Sequence, residues 1–166
     1  TEEANVFYRV MERLKLKLVT AKEYVPAPIV HETRGAEVGI IAFGSTGSAV
    51  EEARDLLAAD GLKSSMMRVR ALPFSKSVEK FIQKYEQVIV VEMNRDGQMH
   101  QLLCMDFPAL APKLKSAAFQ DGLPASAKWI REGILKFAKP ATSSPKGKKN
   151  VAAKKSKTPA KKGAKK

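Results

Sequence analysis

With a single cysteine, Cys104, the chain can form no internal disulfide and can hold no cysteine-ligated cluster by itself; one thiol in 166 residues fits a reducing cytoplasm. No apolar run approaches the roughly 20 residues that a bilayer crossing needs, and no signal peptide opens the chain, so no membrane partner is expected. The two histidines, His31 and His100, have no ligand-spaced companions, which speaks against a metal site. No Cys/His or Ser/His/Asp arrangement is legible, and Cys104 reads as a small core residue behind Leu102-Leu103. Glu51 and Glu52 read as a solvated helix face rather than an acid/base pair. By itself the chain shows no active site. It begins at Thr1 rather than Met, with an amphipathic pattern under way by Val6, and reads as a piece of something longer.

Acidic residues are missing altogether from Ala141 to Lys166, where ten lysines stand. That stretch carries +10 of the net +13, leaving +3 for residues 1–140. Lys, Ala, Pro, Ser, Thr and Gly cannot bury enough apolar surface to offset chain entropy, so residues 140–166 are expected to be a disordered basic tail, dispensable for folding. Lysine pairs of this kind neutralise phosphates by counterion release. A nucleic-acid-binding protein acting through the tail is therefore one function class, with weak polyanion binding as its lesser form. Against it, residues 1–140 carry little net charge and no recognisable nucleic-acid motif.

What the chain does have is a strand, tight loop and helix repeated from Val38 to Gln98. VGIIAF leads into Gly44-Ser45-Thr46-Gly47 and a helix from Ser48 to about Asp60. Ser48 and Glu51 form a possible capping box, Ala49, Val50, Ala53, Leu56 and Leu57 the inward stripe, and Gly61 the stop. SSMMRVR leads into Ala71-Leu72-Pro73-Phe74 and a helix through Val78, Phe81, Ile82 and Tyr85, with Met66-Met67 in the core. QVIVVE opens into Asn94-Arg95-Asp96-Gly97-Gln98 and a third helix. Such alternation builds a mostly parallel sheet covered on both faces. Ligands or partner chains meet these sheets at the carboxyl ends of the strands, which sets GSTG, ALPF and NRDGQ along one edge.

Ahead of this core, residues 1–27 read as a connecting helix, with Val6, Val10, Leu14 and Leu18 four apart and Pro26 and Pro28 ending it. Pro28–Glu32 reads as a short edge strand. Beyond it, Lys115–Phe119 reads as a last strand and Pro124–Phe137 as a last helix with Trp129, Ile130, Ile134 and Leu135 inward. The α/β domain spans 28–139.

The strand-end loops offer the candidate contacts. Gly44, Ser45 and Thr46 at a helix start can cradle an anion on backbone N–H groups, or simply make a tight turn. The loop lacks both the lysine of a phosphate-binding loop and a full dinucleotide fingerprint. Arg68 and Arg70 alternate on one strand, as an anion site or as solvent-facing edge residues. Asn94, Arg95, Asp96, Gly97 and Gln98 serve either as a capped helix start, with Asp96 as the cap, or as an interface.

Three runs carry a family resemblance: GIIAFGSTGSAVEEARDLLAADGLKSSMMRVRALPF, VIVVEMNRDGQMHQLL and LAPKLKSAAFQDGLP. They resemble the alpha subunit of 2-oxoacid:ferredoxin oxidoreductases, most nearly the 2-oxoglutarate type, over roughly residues 5–138; the pairing of RVRALPF with E-x-NRDGQ is its specific part. The resemblance implies a transketolase C-terminal-like domain: a three-layer α/β/α sandwich on a five-stranded sheet with one antiparallel strand, for which Pro28–Glu32 is the candidate. It also implies an enzyme that oxidatively decarboxylates a 2-oxoacid to an acyl-CoA and passes electrons to ferredoxin. Thiamine diphosphate, Mg²⁺ and [4Fe-4S] clusters would then be held elsewhere, by the rest of the alpha subunit and by the beta subunit. No catalytic, cofactor-binding or metal residue carries over, so this domain is expected to be structural and silent alone. The lysine-rich tail departs from the family pattern, which tends to stop near Phe137.

Overall fold

The sheet forms where β-branched and other apolar residues run unbroken, and its order is set by which helices must cover which face. A computed structural model describes residues 1–139. The elements are α1 (Ala4–Tyr24), β1 (Ile29–His31), β2 (Val38–Phe43), α2 (Thr46–Ala59), β3 (Ser64–Val69), α3 (Lys76–Lys84), β4 (Val88–Glu92), α4 (Gln98–Asp106), a 3-10 segment (Pro108–Lys113), β5 (Leu114–Ala118) and α5 (Ala127–Leu135). The strands order as β1-β3-β2-β4-β5 in one five-stranded sheet. Only β1 runs antiparallel, with Val30 opposite Met67 on β3. The edge-strand expectation for Pro28–Glu32 is met. The basic-tail expectation lies outside the described residues.

Alternation along the central strands divides the core in two. Ile40, Met66, Ile89 and Val91 face α2 and α5, meeting Val50, Leu57, Ile130 and Ile134. Ile41, Met67, Val88 and Val90 face the other way, onto Val78, Phe81 and Ile82 of α3 and Met99 and Leu103 of α4. Three layers result, α/β/α, because strands buried on both faces need helices on both. Gly39 of β2 lies beneath the α3 aromatics: a Cβ there would stand 2.8 Å from Tyr85 Cδ2 and 2.9 Å from Phe81 Cε1.

Local structure departs from expectation at the first core helix. It starts at Thr46, two residues before Ser48, because the Thr46 hydroxyl donates to Phe43 O at 2.6 Å and closes the turn early. Ser48 is thus already helical, and no capping box with Glu51 forms. Leu56 is also 38% exposed rather than inward. At the other end Gly61 (φ 91°) stops α2 as expected: Leu62 N–H donates to Leu57 O and Gly61 N–H to Ala58 O, which satisfies carbonyls of the last turn.

Asp60, the residue capping that end, accepts a hydrogen bond from the Arg131 guanidinium of α5, joining the two helices of one layer. The guanidinium holds the Asp60 carboxyl below its ordinary value of 3.8. A depressed folded pKa means that the stabilisation is present above the ordinary value and lost as pH falls through the lowered one. The melting-temperature gap between wild type and Asp60→Asn should therefore be small at neutral pH and close as pH is taken well below 3.8. A gap that persists in acid would show that the pair contributes through geometry alone.

Candidate functional site at the strand ends

Three loops converge at the carboxyl ends of β2, β3 and β4, where the strand order reverses direction. Between them is a cleft of about 460 Å³ whose walls include Gly44, Arg70, Leu72, Gln98, Met99 and Leu102. The expected meeting of GSTG, ALPF and NRDGQ along one edge is what the structure has.

The GSTG loop is built as a turn. Gly44 takes φ 59°, which a side chain resists, and Thr46 ties back to Phe43. Arg68 crosses the loop, its Nη2 donating to Gly44 O at 3.0 Å. A Cβ on Gly47 would sit 3.2 Å from both Cδ and Nε of that side chain, so small residues here make room for an arginine from the next strand. Arg70, one residue beyond β3, donates from Nε to Ala27 O at 2.7 Å and anchors the segment joining α1 to β1. Both guanidiniums point to solvent, yet each spends a donor on a backbone carbonyl. Nor is their strand an edge: β3 lies between β1 and β2.

The NRDGQ turn is organised by a residue that the sequence reading does not single out. Glu92 ends β4 fully buried, 0% exposed. Its carboxylate accepts from Asn94 Nδ2 at 2.7 Å, Met99 N–H at 2.8 Å and His100 N–H at 3.1 Å. Asn94 Oδ1 in turn accepts from Gly97 N–H at 2.7 Å and Gln98 N–H at 3.2 Å. Four unsatisfied N–H groups at a helix start are thus met by a carboxylate and an amide, and a negative charge sits at the positive end of α4. Asp96 is not the cap: the N-cap position is Gly97 at φ 66°, and the Asp96 carboxylate is taken by Arg95, Nε at 2.6 Å and Nη2 at 3.0 Å. That bond raises the guanidinium pKa of Arg95. The only sequence signal for Glu92 is a carboxylate closing a strand that is otherwise wholly apolar.

On the same helix Cys104 Sγ lies 3.7 Å from His100 Nε2, a pairing one turn apart that the sequence reading passes over. Burial pushes the Cys104 thiol up, which opposes thiolate formation and so a nucleophilic role. Among the described residues no group of three His, Cys, Asp or Glu could hold a metal ion. The donor set does not fit an iron–sulfur cluster, which needs several thiolates, or Mg²⁺ with a diphosphate, which needs carboxylates beside open cationic groups. The cleft can accept an apolar or amide-bearing group and fix its orientation through Gln98. No acid, base or nucleophile lines it. No helix among the described residues is long and apolar enough to cross a membrane.

Comparison with known proteins agrees with this architecture. The family model for pyruvate:ferredoxin oxidoreductase core domain II matches residues 36–115. Subunit alpha of 2-oxoacid:ferredoxin oxidoreductase 2 from Aeropyrum pernix is 32% identical over 108 residues, covering 62% of this chain and 17% of that one. The 2-oxoglutarate:ferredoxin oxidoreductase from Magnetococcus marinus, solved with 2-oxoglutarate, coenzyme A and succinyl-CoA bound, superposes with a TM-score of 0.65 at 28% identity, over 82% of this chain and 24% of that one. A split-gene transketolase, an inactive beta4 tetramer, shares the fold at a TM-score of 0.57 and 17% identity, over 66% of this chain and 40% of that one. The chain therefore spans only a fraction of these proteins, and none of them supports the nucleic-acid reading. With core domain II matched over residues 36–115 and this strand-end geometry, the chain is similar in sequence and fold to part of the alpha subunit of 2-oxoacid:ferredoxin oxidoreductases.

Proposed function

We propose that this chain serves a thiamine-diphosphate-dependent 2-oxoacid:ferredoxin oxidoreductase, of the 2-oxoglutarate type, as a non-catalytic assembly domain. In that reading residues 1–27 connect it to the remainder of the alpha subunit and 28–139 form the domain, in the cytoplasm. The whole enzyme converts a 2-oxoacid and CoA to an acyl-CoA and CO₂, passing two electrons one at a time to ferredoxin. Thiamine diphosphate, Mg²⁺ and [4Fe-4S] clusters are held by other parts, including the beta subunit. The 2-oxoglutarate preference is supported by the likeness to the Magnetococcus marinus enzyme.

The observation that carries the assembly role is the NRDGQ turn. It is rigid from beneath, through buried Glu92 and half-buried Asn94, and open above, where Arg95 stands exposed and Gln98 lines the cleft. A loop that is only a helix start does not need an exposed guanidinium held in place by its neighbour's carboxylate. Arg95→Ala should accordingly leave the melting temperature of this chain within a few degrees, since solvent screens an exposed pair of this kind and leaves it little weight in stability. It should weaken subunit assembly or turnover of the reconstituted enzyme, measured as 2-oxoglutarate- and CoA-dependent viologen reduction with pyruvate as comparison. Full activity combined with a destabilised chain would make the loop purely structural. Preference for pyruvate would overturn the substrate reading alone.

A further inference from the structure

The long first helix presents an apolar face that the domain does not cover. None of the 21 residues of α1 is buried. Phe7, Met11, Leu14, Leu18 and Ala21 recur at intervals of four and three, the spacing of a coiled-coil seam. Along it Phe7 is 55% exposed, Met11 47%, Leu14 42% and Leu18 61%. A face left to water at this density along a 21-residue helix marks a contact surface rather than scattered apolar residues.

The lower end of the seam enters the body of the domain. Leu18 borders a recess with Leu72, Pro73, Phe74, Leu102 and Asp106, and Lys22 Nζ reaches Asp106 at 3.5 Å. Leu72 and Leu102 also line the strand-end cleft, and both are exposed, as is Met105 beside them. Leu72 and Leu102 thus belong to both recess and cleft, and Leu18 joins the recess to the helix face.

Charge decides what covers it. The seam is bordered by Lys15 on one side and Lys17 on the other, with Lys22 beyond Lys15 already facing Asp106, while Glu12 and Glu23 lie toward the back. Lys15 reaches Glu12 only at 3.7 Å in open solvent. A second copy is disfavoured in either direction: antiparallel packing about Leu14 sets Lys15 against Lys15, and parallel packing sets Lys17 against Lys22. A bilayer is flat, and this seam runs into a concavity. We propose that the α1 face and its recess dock an amphipathic helix of another polypeptide whose apolar stripe is flanked by glutamate or aspartate. This goes beyond the oxidoreductase reading and does not depend on it.

The test uses the whole chain and two fluorescein-labelled 21-residue helical peptides, leucine at the seam positions and either glutamate or lysine at the flanks. Anisotropy should report saturable binding of the glutamate peptide and about tenfold weaker binding of the lysine peptide. Leu14→Asp should weaken the glutamate peptide by about tenfold or more, as loss of a central apolar anchor does. Lys15→Glu with Lys17→Glu should invert the preference. Leu14 lies outside the core, so thermal melting should show both variants folded. Equal binding of the two peptides, binding unaffected by Leu14→Asp, or no binding of either overturns the proposal. So does a dimer in analytical ultracentrifugation that Leu14→Asp dissolves, which would make the occupant a second copy. Cosedimentation with phosphatidylserine vesicles that depends on Leu14 would make it a membrane, with the same consequence.

Discussion

Glu92→Ala should lower the melting temperature by roughly 10–20 °C, the shift that about 3–5 kcal/mol produces in a domain of this size. The carboxylate is wholly buried and accepts from three donors, two of them main-chain N–H groups at the start of α4. Alanine leaves all three without their partner, the Met99 N–H in a buried position and the other two half-buried, and hydrogen bonds to a charged acceptor are worth about 1.5–3 kcal/mol each. Asn94 would lose its orientation as well, and with it the bonds to Gly97 and Gln98. Glu92→Gln keeps the shape but turns an –NH₂ toward N–H donors, so its loss should be roughly half as large. Thermal melting of the two variants decides the matter. An alanine variant within a couple of degrees of wild type would mean that α4 is held by its apolar face alone.

The second large effect is expected at Gly39. Valine there must displace the rings of Phe81 and Tyr85, which pack 5.1 Å apart between α3 and the sheet. Neither ring has a flexible end to move aside, and both are buried. Overpacking of this kind costs about 1–3 kcal/mol for a modest insertion, and valine should reach or exceed the upper figure while alanine stays near the lower. If the clash is the cause, pairing Gly39→Ala with Tyr85→Leu should recover part of the loss, which a double-mutant cycle in urea would quantify. Additive losses would point instead to a backbone effect within β2.

How much of this could be read in advance follows the range of the forces. β2, β3 and β4 are continuous apolar runs between turn residues, and such runs need no distant partner to be recognised. The pairs Val78–Ile82 and Ile130–Ile134 show a helix period for the same reason. The strand-end cleft followed from alternation alone, because parallel strands bring their following loops to one side. Errors arose where a polar side chain had to choose a partner. Asp96 looked like a cap by position, but its neighbour Arg95 took it. The cap came instead from Asn94 and from Glu92, six residues before Gln98, and only folding brings that carboxylate to the turn. Ser48 with Glu51 has the spacing of a capping box, yet Thr46 closed the turn first. The bond from Arg68 across Gly47 joins adjacent strands through a helix start, a distance no local pattern encodes.

The sheet's margins bear on a different property, its resistance to growing. Outer strands offer rows of unpaired N–H and C=O groups on which further chains can add and aggregate. Here one margin is β1, three residues long, preceded by Pro28 and held at Ala27 by Arg70. The other is β5, flanked by Lys113 and carrying Lys115 as its second residue. A strand seeking to extend the sheet finds either too few residues to pair with or a lysine in its path. Association is thereby steered away from the lateral margins, where hydrogen bonding would be indiscriminate, toward ends and helix faces where side chains select the partner.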